Sequence, residues 1–173
     1  MEEEYELTFL VRSVPEDVLT SRSSEIIDVY IPISAAHPIV RIRKSGGKYA
    51  ITKKQPINEG DASHQIENTI PLTEKEFDAL NKVEGKRVRK IRYYYTKGEF
   101  GYEIDVFQDE LLGLVVADVE FNSNEEKSKF NKPDWFLADV TQEDFIAGGM
   151  LCGKSYEDIQ DHLDRFQYKQ IKL

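Results

Sequence analysis

The sequence has little of what marks secreted, membrane-spanning or nucleic-acid-binding proteins. Its one cysteine, Cys152, cannot form an intrachain disulfide, and its first residues are acidic, unlike the basic start of a secretory signal. No apolar run approaches the ~20 residues that cross a bilayer. A net charge of −9 argues against binding along a nucleic-acid backbone, which requires a basic face. These absences predict a cytoplasmic protein that binds neither membranes nor nucleic acid.

Repeats, low-complexity segments and linkers are also missing. With 173 residues, of which 40% are hydrophobic and 32% charged, the chain has the length and composition of one domain with its own core. We therefore expect a single domain over residues 1–173.

Two other patterns do not indicate a functional site. His37, His64 and His162 are isolated and lack metal-ligand spacing. Gly46-Gly47-Lys48 lacks the first glycine and the Ser/Thr of a phosphate-binding loop, so a turn is the better interpretation.

Strand-like segments dominate the chain. Many antiparallel strands with few helices predict an α+β fold with a large sheet or a barrel. Helix starts are indicated at Thr73, Ser123, Thr141 and Ser155. The eight predicted strands, rich in β-branched and aromatic residues, are Tyr5–Arg12, Ile26–Ile31, Ile39–Lys44, Lys48–Lys54, His64–Ile70, Arg87–Tyr95, Phe100–Phe107 and Leu114–Phe121.

One turn fixes the pairing of two basic strands. Gly46-Gly47 is typical of a two-residue hairpin turn, because glycine tolerates the positive φ angles that such turns need. This register places Arg41 opposite Thr52 and puts Arg43 and Lys54 on the same face as Arg41.

A second turn pairs a basic strand with an acidic one. A turn at Lys97-Gly98 would place Arg92 opposite Glu103 and Lys90 opposite Asp105. Opposite charges would then meet across the strands, which favours this register.

Five strands carry two like charges at positions i and i+2. Alternate side chains of a strand point to opposite faces, so each pair shares one face. One such strand is typical of an ordinary sheet with one solvent-exposed face. Solvent faces usually mix signs, however, whereas each strand here carries a single sign. The pairs are Glu4 and Glu6, Arg41 and Arg43, Lys90 and Arg92, Glu103 and Asp105, and Asp118 and Glu120.

Like charges repel, so each group calls for a compensating ligand. A divalent cation suits carboxylate oxygens, here those of Glu4, Glu6, Asp118 and Glu120. A polyanion would satisfy the basic set, which is Arg41, Arg43, Lys54, Lys90 and Arg92. A triphosphate with Mg²⁺ or Mn²⁺ supplies both ligands. Closing the sheet with its charges inward would give a polar tunnel. The apolar side chains that alternate with the charged ones would then face outward, toward the helices.

In order along the chain, these motifs resemble the CYTH superfamily of triphosphate tunnel metalloenzymes, which includes thiamine triphosphatases, class IV adenylyl cyclases and inorganic triphosphatases. The resemblance extends from end to end. The matching segments are Glu4-Tyr5-Glu6-Leu7-Thr8 for E-x-E-x-K, Arg41-Ile42-Arg43 for R-x-R, Thr52-Lys53-Lys54 for T-x-K, Lys90-Ile91-Arg92-Tyr93 for K-x-R-Y, Glu103-Ile104-Asp105-Val106-Phe107 for E-x-D-V-F, Asp118-Val119-Glu120-Phe121 for E-V-E-F, and Pro133-Asp134-Trp135 with Val140-Thr141 for P-x-W…V-T.

The resemblance implies an eight-stranded antiparallel β-barrel with a charged interior, flanked by helices. Its basic residues would bind the triphosphate and its acids would hold metal, with one ion orienting the phosphates and a second able to activate the attacking water. Glu4, Glu6 and Glu120 are then the candidate catalytic residues, and with Asp118 they are the candidate metal ligands. The supporting tunnel acids would be Glu67, Glu103 and Asp105.

The sequence departs from the family pattern in three places. Thr8 stands where the signature has lysine, and Gln65-Ile66-Glu67 keeps one of two expected acids. Asp144 lies where the segment after Thr141 usually carries a base. A charge lost about 4 Å from a phosphate costs roughly 1–4 kcal/mol. Binding should survive on the five remaining bases, and turnover is the property at risk.

We therefore predict Mg²⁺- or Mn²⁺-dependent hydrolysis of a triphosphate, with inorganic triphosphate the leading substrate. Orthophosphate and a diphosphate would be the products. A thiamine or nucleoside triphosphatase and an adenylyl cyclase are alternatives among enzymes. A non-catalytic triphosphate- or polyphosphate-binding module is the alternative from another class. The oligomeric state, monomer or homodimer, is left open by the sequence.

Overall fold

A computed structural model describes residues 2–173, in which nine strands are joined by short helices. The strands are β1 Glu2–Val11, β2 Arg22–Ile31, β3 Val40–Ser45, β4 Lys48–Pro56, β5 His64–Leu72, β6 Lys86–Lys97, β7 Phe100–Phe107, β8 Val115–Phe121 and β9 Phe136–Asp139. The helices are α1 Glu16–Leu19, α2 Glu74–Leu80, α3 Asn124–Lys129, α4 Gly148–Leu151 and α5 Tyr156–Asp164, with 3₁₀ turns at Asp109–Leu111 and Asp144–Ile146.

Eight of the strands close into an antiparallel barrel in the order β1-β5-β4-β3-β2-β6-β7-β8. β1 closes the ring because its start pairs with β5 over Glu2–Tyr5 and its later part pairs with β8 over Tyr5–Leu10. The short β9 pairs with the end of β1 and lies beyond the ring. The predicted α+β barrel and its eight strands are confirmed. The ninth strand was missed because four residues give too short a pattern to detect.

The first predicted hairpin register is confirmed and the second is wrong by two residues. Arg41 lies opposite Thr52, and Gly46 takes the expected positive φ of 55°. In the second hairpin Gly98, with φ of 66°, begins the turn, so Arg92 lies opposite Asp105 rather than Glu103. Because side chains alternate with a period of two, a shift of two keeps every charge on its predicted face.

Three of the four predicted helix starts are confirmed. Thr73 and Ser155 form capping boxes, and the Ser123 hydroxyl accepts a hydrogen bond from a backbone N–H in the first turn of α3. Thr141 does not begin a helix. Its hydroxyl donates to Asp139 at 2.6 Å and accepts from the backbone N–H of Thr8 at 3.0 Å, so it is not free to cap.

Apolar side chains of the barrel strands pack mainly on the outside, as predicted. Phe9 and Ile104 belong to an outer cluster, and Ile42 packs beneath Phe77 of α2. Full burial of side chains of this size stabilises the fold by about 1.5–3 kcal/mol each. A third cluster fills one end of the interior with Leu10, Val88, Phe107 and Val116 from the strands, packed against Ile146, Leu151, Ile159 and Leu163 from the C-terminal segment.

Cys152 lies buried in this third cluster, where its thiol donates to the Gly149 carbonyl. Burial raises the pKa of the thiol to about 11, which suits a structural role. Within residues 2–173, the helices are all too short or too polar to cross a membrane.

Candidate active site

The barrel encloses a cavity of about 400 Å³. All the site residues predicted from the sequence line it. Strand alternation placed their side chains on one face, and closure of the sheet turns that face inward around one space. The predicted residues that line the cavity are Glu4, Glu6, Arg41, Arg43, Lys54, Glu67, Lys90, Arg92, Glu103, Asp105, Asp118 and Glu120.

Asp28 on β2 is a buried acid of the cavity that the sequence reasoning missed. It lies directly opposite Arg43, and its carboxylate accepts two hydrogen bonds from the guanidinium at 2.6 and 2.8 Å. Burial alone would raise the pKa of Asp28, but the Arg43 charge outweighs burial and holds the pKa far below its usual range. A single acid between Ile27 and Val29 gives no paired-charge pattern. Only the pairing of β2 with β3 reveals it.

Asp105 pairs with two cations at the centre of the cavity. Its carboxylate accepts hydrogen bonds from Arg92 at 2.7 Å through both oxygens, and the Lys90 ammonium also donates to it. Burial opposes its charge, yet Arg92 and Lys90 lower the pKa of Asp105 to about 2. Burial lowers the pKa of Lys90. Arg92 also contacts Glu103 and lies 3.6 Å from Asp118, so one guanidinium connects three acids.

Lys54 joins the two acids of the N-terminal signature. Its Nζ lies 2.7 Å from Glu4 Oε2 and 3.1 Å from Glu6 Oε1. Burial alone would lower the pKa of the lysine, but the carboxylates, Glu6 first, outweigh burial and raise it. Burial would raise the pKa of Glu6, and Lys54 outweighs it and lowers that pKa. The hairpin register had placed Lys54 on the same face as Arg41, and both side chains line the cavity.

Thr8 faces Asp118 across β1 and β8, and its hydroxyl donates to Asp118 Oδ1 at 2.8 Å. A hydroxyl brings no charge, so the cation nearest to Asp118 is Arg92 at 3.6 Å. Burial, followed by the charge of Glu6, raises the pKa of Asp118 to about 6. The same two causes raise the pKa of Glu120. The missing signature lysine therefore leaves a group of acids without full compensation.

The charges that the barrel strands place in the cavity are unbalanced, with eight acids and five bases. The segment 141–151 has no lysine or arginine, and it adds Glu143 and Asp144 to the lining. A polyanion alone would deepen this imbalance, and divalent cations that arrive with it would offset its negative charge. The strand acids are Glu4, Glu6, Asp28, Glu67, Glu103, Asp105, Asp118 and Glu120, and the bases are Arg41, Arg43, Lys54, Lys90 and Arg92.

The donor chemistry of the acidic strands fits a hard divalent cation. Glu6 lies directly opposite Glu120, and the raised pKa values of Asp118 and Glu120 reflect burial first and then the negative charge of Glu6, which such a cation would offset. Within residues 2–173, no three His, Cys, Asp or Glu side chains are yet arranged to hold a metal ion. Lys54 already contacts Glu4 and Glu6, so a metal ion would compete with its ammonium for these carboxylates.

Arg41 is the least satisfied cation of the cavity. Its Nη1 lies 3.4 Å from the Tyr30 hydroxyl and its Nη2 lies 3.5 Å from Glu67, both long contacts. Its buried Nε has no hydrogen-bond partner among the described residues. Leaving a buried donor unpaired costs about 1–3 kcal/mol. An arginine with open donors is suited to bind the oxygens of an anion.

Comparison with known proteins identifies the family. No family model matches the chain. The inorganic triphosphatase of Nitrosomonas europaea is 32% identical over 143 residues, which cover 81% of this chain and 90% of that protein. The inorganic triphosphatase of Acetivibrio thermocellus is 29% identical over 122 residues, 70% of this chain and 76% of that protein. The crystal structure of an inorganic triphosphatase superposes with a TM-score of 0.63 at 25% identity, covering 89% of this chain and 97% of that one. The chain therefore belongs to the CYTH superfamily of triphosphate tunnel proteins, as a relative of the inorganic triphosphatases.

Proposed function

We propose that this protein hydrolyses inorganic triphosphate to orthophosphate and diphosphate inside the barrel, with Mg²⁺ or Mn²⁺. The observation that carries the proposal is the convergence of five basic and eight acidic strand residues on one cavity. Its volume of about 400 Å³ is that of a small-molecule site. Two relatives named inorganic triphosphatase, at 32% and 29% identity, support the choice of reaction and substrate.

The basic residues would position the phosphate chain. Guanidinium groups match phosphate oxygens in pairs, and the two of Arg43 and Arg92 are already held rigid by bidentate contacts to Asp28 and Asp105. Donors fixed in this way need little rearrangement as charge develops on the phosphoryl group. Arg41, with an open Nε, is the first contact we expect an incoming anion to make.

The acidic residues Glu4, Glu6, Asp118 and Glu120 would hold the divalent ions. When bound, such an ion neutralises phosphate charge and lowers the pKa of a coordinated water. If Glu4 or Glu6 held such an ion, the Lys54 ammonium would be able to donate to a phosphate oxygen instead. Water then attacks the terminal phosphorus, the bond to the bridging oxygen breaks, and diphosphate leaves with that oxygen.

The position of Thr8 favours one other candidate, a triphosphate- or polyphosphate-binding module without turnover. A hydroxyl at this place cannot supply the charge that the family signature lysine would bring to Asp118.

A cytoplasmic location completes the proposal, since the single buried cysteine needs no oxidising compartment.

Phosphate release from inorganic triphosphate, ATP and thiamine triphosphate, each with Mg²⁺, Mn²⁺ or EDTA, tests the proposal. We expect release to require a metal and to be fastest with inorganic triphosphate. Faster release from ATP or thiamine triphosphate would point to an organic substrate. Retained binding of inorganic triphosphate without release from any substrate would identify the binding module instead.

A further inference from the structure

The arginines that line the cavity differ in how tightly acids hold them. Arg43 and Arg92 each donate two hydrogen bonds of 2.6–2.8 Å to a buried aspartate. Such bidentate pairs are the strong form of this contact. Arg41 has no pair of this kind among residues 2–173, since its Nη2 lies 3.5 Å from one oxygen of Glu67. Glu67 therefore stands back from Arg41, and the structure shows what holds it there.

The hydroxyl of Thr69 holds the other oxygen of Glu67. Thr69 lies two residues further along β5, on the same face of the strand, and its Oγ1 donates to Glu67 Oε1 at 2.6 Å. A carboxylate only accepts and a hydroxyl has one hydrogen, so Thr69 spends its hydrogen on this bond. The carboxylate of Glu67 is thus divided between a short hydrogen bond to Thr69 and a long contact to Arg41.

A second threonine fixes the first. Thr52 lies directly opposite Thr69 on β4, and the two hydroxyl oxygens are 2.7 Å apart. Because the hydrogen of Thr69 is used on Glu67, Thr52 is the donor in this contact. Thr52 is 4% exposed, whereas Thr69 is exposed. The buried hydroxyl therefore orients the exposed one, and a directed chain of hydrogen bonds runs from Thr52 through Thr69 to Glu67.

This chain leaves the donors of Arg41 open. Its buried Nε has no hydrogen-bond partner among the described residues. A guanidinium that is not closed onto a carboxylate keeps its planar set of donors for another anion. If both oxygens of Glu67 turned to Arg41, they would compete with a phosphate for the same donors.

We propose that Thr69 is a positioning residue of the phosphate site, whose hydrogen bond restrains Glu67 and so keeps Arg41 available to the triphosphate. This proposal rests on the proposed function, in which Arg41 makes the first contact with the incoming anion. Thr69 acts through Glu67 and does not itself touch the substrate.

Thr69→Val tests the assignment, because it removes the hydroxyl and keeps the shape of a β-branched side chain. We expect the KM for inorganic triphosphate to rise about three- to tenfold while kcat changes less than about twofold, since the released carboxylate competes with binding. Affinity for inorganic triphosphate, titrated in EDTA without turnover, should fall by a similar factor. Thr69→Ser keeps the hydroxyl and should retain the wild-type KM and affinity.

The same substitution in a Glu67→Gln background separates restraint of the carboxylate from packing. Glutamine carries no charge to compete for Arg41, so adding Thr69→Val to Glu67→Gln should leave KM and affinity within about twofold of those of Glu67→Gln alone. Thr20→Val is the control outside the barrel. Its exposed hydroxyl donates to the Asp17 carbonyl, and its loss should change neither KM nor affinity.

Three results would overturn the assignment and leave the triphosphatase proposal standing. They are unchanged KM and affinity in Thr69→Val, a loss confined to kcat, and an equal loss of affinity in the wild-type and Glu67→Gln backgrounds. The titration tests the assignment even in a protein that binds triphosphate without turnover. A wild-type protein that neither binds nor hydrolyses inorganic triphosphate would overturn both proposals.

Discussion

Replacing Asp105 with asparagine should destabilise the protein and make its stability depend on a polyanion. Asp105 is 1% exposed and is the shared counter-ion of Lys90 and Arg92. Asparagine keeps the size of the side chain but removes its charge. Lys90 would then lose its counter-ion and Arg92 would keep only Glu103 and the more distant Asp118, and a bound triphosphate is the natural replacement for the lost negative charge.

The magnitude follows from the pKa of Asp105, which is lowered from 3.8 to about 2. That shift corresponds to about 2 kcal/mol between the charged and neutral carboxyl. Removing one partner of a buried ion pair costs about 3–5 kcal/mol. We therefore expect Asp105→Asn to lower the free energy of unfolding at pH 7 by about 2–5 kcal/mol, out of a typical total of about 5–15 kcal/mol.

The pH dependence has a defined sign. Because the folded-state pKa is lower than the unfolded one, the charged Asp105 stabilises the protein above pH 4, and this contribution is lost as pH falls through about 2. The wild type should therefore lose about 2 kcal/mol from this group between pH 4 and pH 2. Asp105→Asn should lack this part of the pH dependence of the free energy of unfolding.

Urea unfolding in EDTA, with and without inorganic triphosphate, measures both effects. We expect triphosphate to stabilise Asp105→Asn more than the wild type, because its cavity holds one acid fewer. Asp109→Asn is the control. It removes an equivalent bidentate partner from Arg89 on the exposed surface, and it should change stability little and leave the response to triphosphate unaltered. Equal stability of wild type and Asp105→Asn, or an equal response to triphosphate, would refute this reasoning.

Three further substitutions test separate parts of the cavity. Arg41→Ala should raise the KM for inorganic triphosphate roughly tenfold, and an unaltered KM would remove this residue from the phosphate site. Glu120→Gln should raise the concentration of Mg²⁺ or Mn²⁺ needed for half-maximal activity; Glu110→Gln, on the surface, is the control, and superimposable metal titrations would exclude Glu120 as a ligand. Thr8→Lys should increase kcat by placing an ammonium opposite Asp118, whereas Thr8→Val should not. A gain of kcat in both variants would indicate that side-chain packing, and not the added charge, causes the effect.

The inward face of the barrel was predictable because strand alternation is a strict local rule. Once Glu4 and Glu6 share a face, the same rule fixes the face of every alternate residue along β1. The register of β3 and β4 was predictable for a similar reason, since the Gly46-Gly47 turn leaves one pairing. The position of Lys54 beside Arg41 followed from that turn alone.

Other features depended on contacts that no local pattern encodes. Lys97-Gly98 and Gly98-Glu99 are both acceptable turns by sequence, and the register of β6 and β7 differs by two between them. Asp28 is a single charged residue on its strand, and only the pairing of β2 with β3 places it opposite Arg43 in the cavity. Thr141 has the residue type of a helix cap, but its hydroxyl donates to Asp139 and accepts from the backbone N–H of Thr8. Thr8 is far away in sequence, so no local pattern indicates this contact.

Phosphorus NMR of inorganic triphosphate incubated with the protein tests the central claim most directly. With Mg²⁺ or Mn²⁺ we expect the triphosphate signals to be replaced by orthophosphate and diphosphate in equal amounts, and we expect no change in EDTA. Triphosphate signals that persist with either metal, or products that form equally well in EDTA, would contradict metal-dependent hydrolysis in this cavity.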